Sequence, residues 1–126
     1  MSEPTRFEKG TAILQRLFGA AAGGAKMSDD FRKITIENLF GDIWSRPGLE
    51  IQERSVITLT ALIVLGREPE LRIHLRGARN LGIPRAKIEE ILIHLAHYGG
   101  WPVAASGFRV LEEVWSAMDA ESKKAG

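Results

Sequence analysis

The residues best suited to acid–base chemistry are three histidines, His74, His94 and His97, together with one carboxylate, Glu53. Histidine titrates near neutral pH, while a carboxylate can orient an imidazole or act as the base. Glu53 is the only acid within an apolar segment at residues 51–65, and a carboxylate in such surroundings needs a partner. A histidine on the following helix is the natural partner, so we expect Glu53 and His74 to converge on one pocket. The structural alternative is a core histidine packed against apolar side chains.

The two histidines near residue 95 raise the question of a metal site. His94 and His97 are three residues apart in HLAH, and His94 shares a helix face with Tyr98. Histidine and carboxylate ligands can hold zinc or iron, but neither an HxxxH nor an HExxH motif occurs. The sequence therefore predicts no metal site.

Three arginines form a second chemical pattern, at helical spacing. Arg72, Arg76 and Arg79 would line one face of a helix. Such a stripe is either a solvated face or a set of partners for acidic groups of a substrate or of a neighbouring subunit. Both interpretations stay open at this point.

The same region has spacing similar to a helix-turn-helix, at Ala78, Gly82 and Ile88. The second helix would then carry Glu89 and Glu90 toward phosphates, which electrostatics disfavours. A formal net charge of +1 gives no general case for nucleic acid or an anionic membrane. We expect neither as a partner.

These side chains depend on one apolar segment for their placement. Residues 56–65 read VITLTALIVL, with apolar side chains in every direction, so we expect a helix over residues 51–65 that is buried all round. The segment is too short to span a membrane, which takes about 20 residues. Apolar spacing, caps and breakers predict six helices, and no segment alternates with period two. The predicted helices span residues 4–18, 28–40, 50–65, 69–80, 85–98 and 103–118.

Composition bounds the class of protein. A chain of 126 residues, 44% hydrophobic and 26% charged, is expected to form one globular domain, 1–126. Residues 1–27 would form the first helix and a glycine-rich loop (residues 19–27), and residues 119–126 a frayed tail. There is no cysteine, which excludes disulfides, thiolate ligands and dithiol redox chemistry within this chain. The charged N-terminus lacks an apolar signal region, so we expect a cytoplasmic protein.

Short helices with more than one apolar face are hard to cover within a chain of this size. We therefore expect a homo-oligomer, with Trp44, Trp101 and Trp115 as candidate interface anchors. The alternative is that each tryptophan is part of the intramolecular core.

Several short motifs, in this order and spacing, resemble the γ-carboxymuconolactone decarboxylase family over about residues 31–115. The RFEKG at residues 6–10 is also similar to the family's first helix. The motifs are WSRPGL at 44–49, Glu53-Arg54, LGR at 65–67, Leu71 with His74, NLG at 80–82, and YGGWP at 98–102.

The resemblance implies an all-α, alkylhydroperoxidase D-like fold and a homo-oligomer, a trimer or a hexamer. A sister branch reduces peroxides with a CxxC pair, but this chain has LGREPEL at residues 65–71 where the dithiol would fall. Thiol peroxidase activity is therefore excluded. The decarboxylase branch implies a cofactor-free lyase of aromatic catabolism, which acts on a carboxylated butenolide. A related isomerase or dehydratase acting on another lactone or enone, and a non-enzymatic ligand-binding oligomer, are the alternatives.

The resemblance also implies roles for individual residues. His74 would deliver the proton or bond the lactone oxygen, and Glu53 would orient it or relay charge. An arginine, Arg54 or Arg76, would bind a carboxylate of the substrate. The residues that would line the pocket are His94, His97, Tyr98 and Trp101.

Overall fold

The computed structural model describes residues 2–19 and 26–125, and every regular element in those ranges is a helix. No strand occurs in either range, so the predicted all-α class is confirmed. The chain divides into two compact units, Met1–Arg54 and Ser55–Gly126. Residues 20–25, which make up most of the predicted glycine-rich loop, lie outside the described residues.

The first unit opens with helix α1, Arg6–Phe18. Its N-cap is Thr5, whose hydroxyl accepts the backbone N–H of Glu8 at 3.1 Å. The Glu8 carboxylate accepts the backbone N–H of Thr5 at 2.8 Å in return. This capping box satisfies two backbone donors that a helix start otherwise leaves open, so α1 begins at Arg6.

Helix α2, Asp29–Ile34, continues without a break into a π-helix, Thr35–Trp44. Ser28 starts it, because its hydroxyl accepts the backbone N–H of Phe31 at 3.1 Å. The sequence predicts one α-helix over residues 28–40. The structure instead has an α-helix only as far as Ile34, followed by a wider π-helix that extends to Trp44. A π-helix of this length is unusual, because π-helical turns usually occur singly.

Two glycines allow α1 and the π-helix to meet backbone to backbone. A Cβ atom on Gly10 would overlap the carbonyl oxygen of Ile36, and one on Gly41 would overlap the carbonyl oxygen of Arg6. Arg6 also binds Asp42 through Nε and Nη2, at 2.9 and 2.7 Å. The first unit is therefore held by one close helix crossing with an ion pair beside it.

The second unit consists of four helices joined by short turns. They are most of α3 (Ile51–Leu65), then α4 (Glu68–Asn80), α5 (Arg85–Gly99) and α6 (Trp101–Ala125). The turns contain glycines with positive φ, which glycine adopts without steric cost: Gly66 at 70°, Gly82 at 83° and Gly100 at 107°. All four helices contribute side chains to one apolar core, which includes Leu59, Ile63, Leu75, Ile88, Leu92, Val110 and Leu111.

The α3 helix is buried on one face only. Leu59 and Ile63 are fully or almost fully buried, but Ile57 and Leu65 are 54% and 72% exposed. The prediction of a helix buried all round is therefore not met within a single chain, because several apolar side chains of α3 face solvent. In the described part of the chain, no helix is long and apolar enough to cross a membrane.

The arginine stripe of α4 has acidic partners on α6 of the same chain. The three guanidinium–carboxylate pairs have contacts of 2.6 to 2.7 Å: Arg72–Glu113, Arg76–Glu121 and Arg79–Asp119. Two of these acids lie in the stretch predicted to be a frayed tail. The structure corrects that prediction, since α6 continues to Ala125 rather than ending at Met118.

The three tryptophans occupy different surroundings. Trp44 is buried within the first unit, where its ring lies 5.9 Å from that of Phe40. Trp115 is partly buried, with the Arg79 guanidinium 5.3 Å above its ring. Trp101 is 67% exposed. Trp101 alone among the three keeps the exposure that an interface anchor needs.

Candidate functional site

His74 lies near the middle of α4, and its side chain is half-buried. Leu71 and Ala78, which flank it on the same helix face, are buried in the core of the second unit. Burial lowers the pKa of His74 to about 4, although the negative charge of Glu70 opposes this shift. The imidazole is therefore uncharged at neutral pH. In that form it can accept a proton or offer a hydrogen bond.

Arg67 and Glu70 lie at the start of α4 and precede His74 in the sequence. Arg67 Nε donates to Glu70 Oε1 at 2.8 Å, and Arg67 Nη2 lies 2.6 Å from the same oxygen. Neither residue is among those that the sequence motifs indicated as part of the site. The signal was present in the spacing, because Arg67, Glu70 and His74 are three and four residues apart.

Glu53 lies in the first turn of α3, and its side chain is exposed in this chain. Its Oε1 accepts the backbone N–H of Glu50 at 2.8 Å, as a helix-start carboxylate does. The expected carboxylate in apolar surroundings is therefore not found within a single chain. Glu53 belongs to the first unit and His74 to the second, and their convergence on one pocket stays a prediction.

The two candidate carboxylate-binding arginines have different surroundings. Arg76 binds Glu121 through both terminal nitrogens, with Nη1–Oε1 at 3.0 Å and Nη2–Oε2 at 2.7 Å. This pairing raises the pKa of Arg76 above its usual value. Arg54 is half-buried, and its Nη2 donates to the carbonyl oxygen of Arg46 at 3.0 Å. A substrate carboxylate at Arg76 would therefore compete with an existing ion pair.

The four predicted pocket-lining residues lie together where α5 meets α6. The His94 ring stacks on Tyr98 with centroids 4.9 Å apart, and the His97 ring meets Trp101 edge-on at 5.4 Å. His97 Nδ1 lies 3.0 Å from the carbonyl oxygen of Ile93. Since a carbonyl oxygen only accepts, Nδ1 is the donor in this contact.

An apolar groove of about 240 Å³ adjoins this aromatic cluster. Trp101 is the only predicted pocket residue among its lining residues, which are Ile93, Ala96, Trp101, Ala104, Ala105 and Phe108. The sequence did not indicate Phe108, because an aromatic residue at helical spacing is typical of any core helix. The groove can hold a small apolar or aromatic group beside the Trp101 ring.

Comparison with known proteins defines the family. The model of the carboxymuconolactone decarboxylase family matches residues 29–113, which is more than half of the chain. The chain belongs to this family. The matched range includes Glu53, His74 and the aromatic cluster of α5 and α6. It begins after α1 and ends within α6.

Two similar proteins are named decarboxylases. The 4-carboxymuconolactone decarboxylase of Acinetobacter baylyi is 29% identical over 98% of this chain and 97% of its own length. The nitrosuccinic acid decarboxylase of Metarhizium robertsii is 33% identical over 69% of this chain and 61% of its own. An uncharacterised 15.0 kDa protein of Paracoccus denitrificans is 30% identical over 68% of this chain. The two named decarboxylases support a decarboxylase-type enzyme, and their names give different substrates.

Proposed function

We propose that this protein is a cofactor-independent carboxy-lyase that decarboxylates a carboxylated butenolide, such as γ-carboxymuconolactone, to an enol-lactone in aromatic catabolism. The observation that carries the proposal is the similarity to 4-carboxymuconolactone decarboxylase along nearly the whole of both chains. The residues of this chain supply acid–base and cation groups suited to that chemistry.

The reaction needs an electron sink and one proton. The bond between the ring carbon and the carboxylate breaks, carbon dioxide leaves, and the electron pair moves into the conjugated lactone carbonyl as a dienolate. A proton then adds to the carbon next to that carbonyl. The protein has to stabilise the oxyanion, deliver the proton and keep water from the leaving carboxylate.

His74 is the residue to which we assign the proton. Its ring is uncharged in the free protein, because burial lowers its pKa to about 4. A substrate carboxylate about 5 Å away would favour the imidazolium by about 3 kcal/mol at an effective dielectric constant of about 20. That energy raises the pKa of His74 toward neutrality. Substrate binding thereby increases the protonated fraction of His74, which is the proposed proton donor.

The other site residues have supporting roles in this proposal. Glu53 orients the imidazole or relays charge, and an arginine, Arg54 or Arg76, holds a carboxylate of the substrate. The aromatic cluster and its groove cover the apolar part of the ring. The apolar side chains that α3 leaves exposed support self-association. The family resemblance implies a trimer or a hexamer.

A second candidate is a ligand-binding oligomer without catalysis. The observation that favours it is the groove beside Trp101, whose lining side chains carry no acid or base. The lyase converts its substrate to product, whereas the ligand-binding oligomer binds the same molecule without reaction.

The deciding assay follows carbon dioxide release and loss of lactone absorbance with pure protein and γ-carboxymuconolactone. Turnover that is lost in His74→Gln with the fold intact supports the lyase. Saturable binding without turnover supports the ligand-binding candidate and contradicts the lyase on this substrate.

A further inference from the structure

Three charged or titratable side chains follow one another along the N-terminal half of α4. Arg67 precedes the helix, Glu70 lies in its first turn and His74 lies one turn later. Residues three and four apart share a helix face, so the three form one row. The distances between Arg67 and Glu70 are those of a close ion pair, at 2.8 and 2.6 Å.

Both contacts from Arg67 end on the same oxygen, Oε1 of Glu70. The carboxylate belongs to a surface ion pair, in which the Arg67 and Glu70 side chains are 60% and 40% exposed. It lies at the helix start, where the macrodipole favours a negative charge. Glu70 therefore carries its negative charge one helical turn before His74, on the same helix face.

The other charges near this part of α4 are paired across to α6. Arg72 contacts Glu113 and also Glu68, and Arg76 contacts Glu121. Further along the helix, Arg79 contacts Asp119. Each acid of α6 in this group therefore has its own guanidinium. Glu70 differs in that its guanidinium partner, Arg67, lies beside α4 itself, three residues earlier in the sequence.

We propose that Glu70, paired with Arg67, is a positioning residue that keeps negative charge on the helix face of His74 and so favours the imidazolium when substrate binds. Its influence on the reaction rests on the proposed function, in which His74 delivers the proton. In the free protein too, the charge of Glu70 raises the pKa of His74, against the effect of burial.

The two members of the ion pair have opposite effects in this arrangement. Removing the charge of Glu70 takes away an influence that raises the pKa of His74, so this pKa falls further. Removing the charge of Arg67 takes away a nearby cation and leaves the Glu70 charge uncompensated, so the pKa of His74 rises. A merely structural ion pair would give either no shift or the same shift in both variants.

The test is an NMR titration of the His74 ring in ¹⁵N-histidine-labelled protein without substrate, with the signal assigned by its loss in His74→Gln. We expect Arg67→Gln to raise the pKa of His74 by at least about half a pH unit, roughly a threefold larger imidazolium fraction. Glu70→Gln should lower it, and the double variant, which lacks both charges, should lie between the two single variants. The matched controls, Lys87→Gln and Glu90→Gln on α5, should leave it unchanged.

Circular dichroism at each pH confirms that the variants are folded during the titration. Unshifted titration in both single variants, or a shift of the same sign in both, would overturn the proposal. The titration uses no substrate, so its outcome does not depend on whether the lyase assay succeeds. Where turnover is observed, the acid limb of the kcat–pH profile should move with the pKa of His74 in each variant, while KM changes little.

Discussion

Arg76 on α4 binds Glu121 on α6 through both of its terminal nitrogens, across 45 positions of the sequence. With the neighbouring pairs Arg72–Glu113 and Arg79–Asp119, it joins the two helices along one edge. The stripe of arginines that looks available to a substrate in the sequence is thus engaged within the chain. The same contacts hold the end of α6 in place.

Breaking this pair should loosen the end of α6. We expect Glu121→Gln to raise amide hydrogen exchange over residues 119–125 by roughly two- to fivefold, because the last turn loses its contact with α4. Ser122→Ala, in the same turn but outside the ion pair, is the control. Unchanged exchange in Glu121→Gln would mean that the α6 end is held by other contacts.

The helices themselves were predictable, but several of their contacts were not. Apolar spacing and glycine breakers place all six, because those signals are local. Residues 119–125 contain no large apolar residue to mark a helix face, and two of them have partners on α4 that the sequence does not reveal. The π-helix crosses α1 closely at Gly10 and Gly41, and no local sequence pattern predicts this crossing.

The sequence indicated candidate site residues, but it could not give the surroundings of each, because those also depend on distant contacts. The motifs indicated His74 and the aromatic cluster, whose members are neighbours on α5 and α6. The surroundings of Glu53 were inferred from the apolar character of the whole segment. Glu53 lies in the first turn of α3 and is exposed in this chain. The burial of a side chain on α3 depends on which neighbouring helices cover it, and the sequence does not show this.

The crossing of α1 and the π-helix should not tolerate a Cβ atom. Gly10→Ala would place a methyl group against the carbonyl oxygen of Ile36, which belongs to the backbone and cannot rotate away. We expect a loss of about 1–3 kcal/mol in unfolding free energy, the usual cost of overpacking. Denaturant unfolding followed by tryptophan fluorescence, to which the buried Trp44 of the first unit contributes, measures it. Gly48→Ala is the matched control, since nothing lies within 4 Å of the position that its methyl group would take, and an equal loss there would remove the explanation.

The lowered pKa of His74 predicts a pH-dependent stability. The unfolded chain binds a proton near pH 6.5 and the folded chain only near pH 4, so the unfolded state holds more protons in between. Stability should therefore fall as pH drops from 6.5 to 4, by up to about 3 kcal/mol. His74→Gln should flatten this part of the profile and leave the region above pH 7 parallel to that of the original protein. An unchanged slope below pH 6.5 would show that the folded and unfolded chains protonate His74 alike.

Self-association should depend on the apolar side chains left exposed by the single chain. We expect a species larger than the monomer by sedimentation at micromolar concentration. Leu65→Lys should shift it toward smaller species, because Leu65 is 72% exposed and apolar. Ala120→Lys on the outside of α6 is the control. A monomer in the original protein would contradict the oligomer proposal directly.

The proposed lyase depends above all on proton transfer by His74, and the most direct test is kcat on γ-carboxymuconolactone for His74→Gln and His74→Ala. Loss of a general acid or base should lower kcat by about 10²–10⁴-fold in both variants, with circular dichroism and sedimentation unchanged. Glutamine keeps a hydrogen bond but exchanges no proton at neutral pH, so it should not rescue the activity. If both variants instead keep the original kcat per folded protein, His74 is a core histidine and the assignment is wrong.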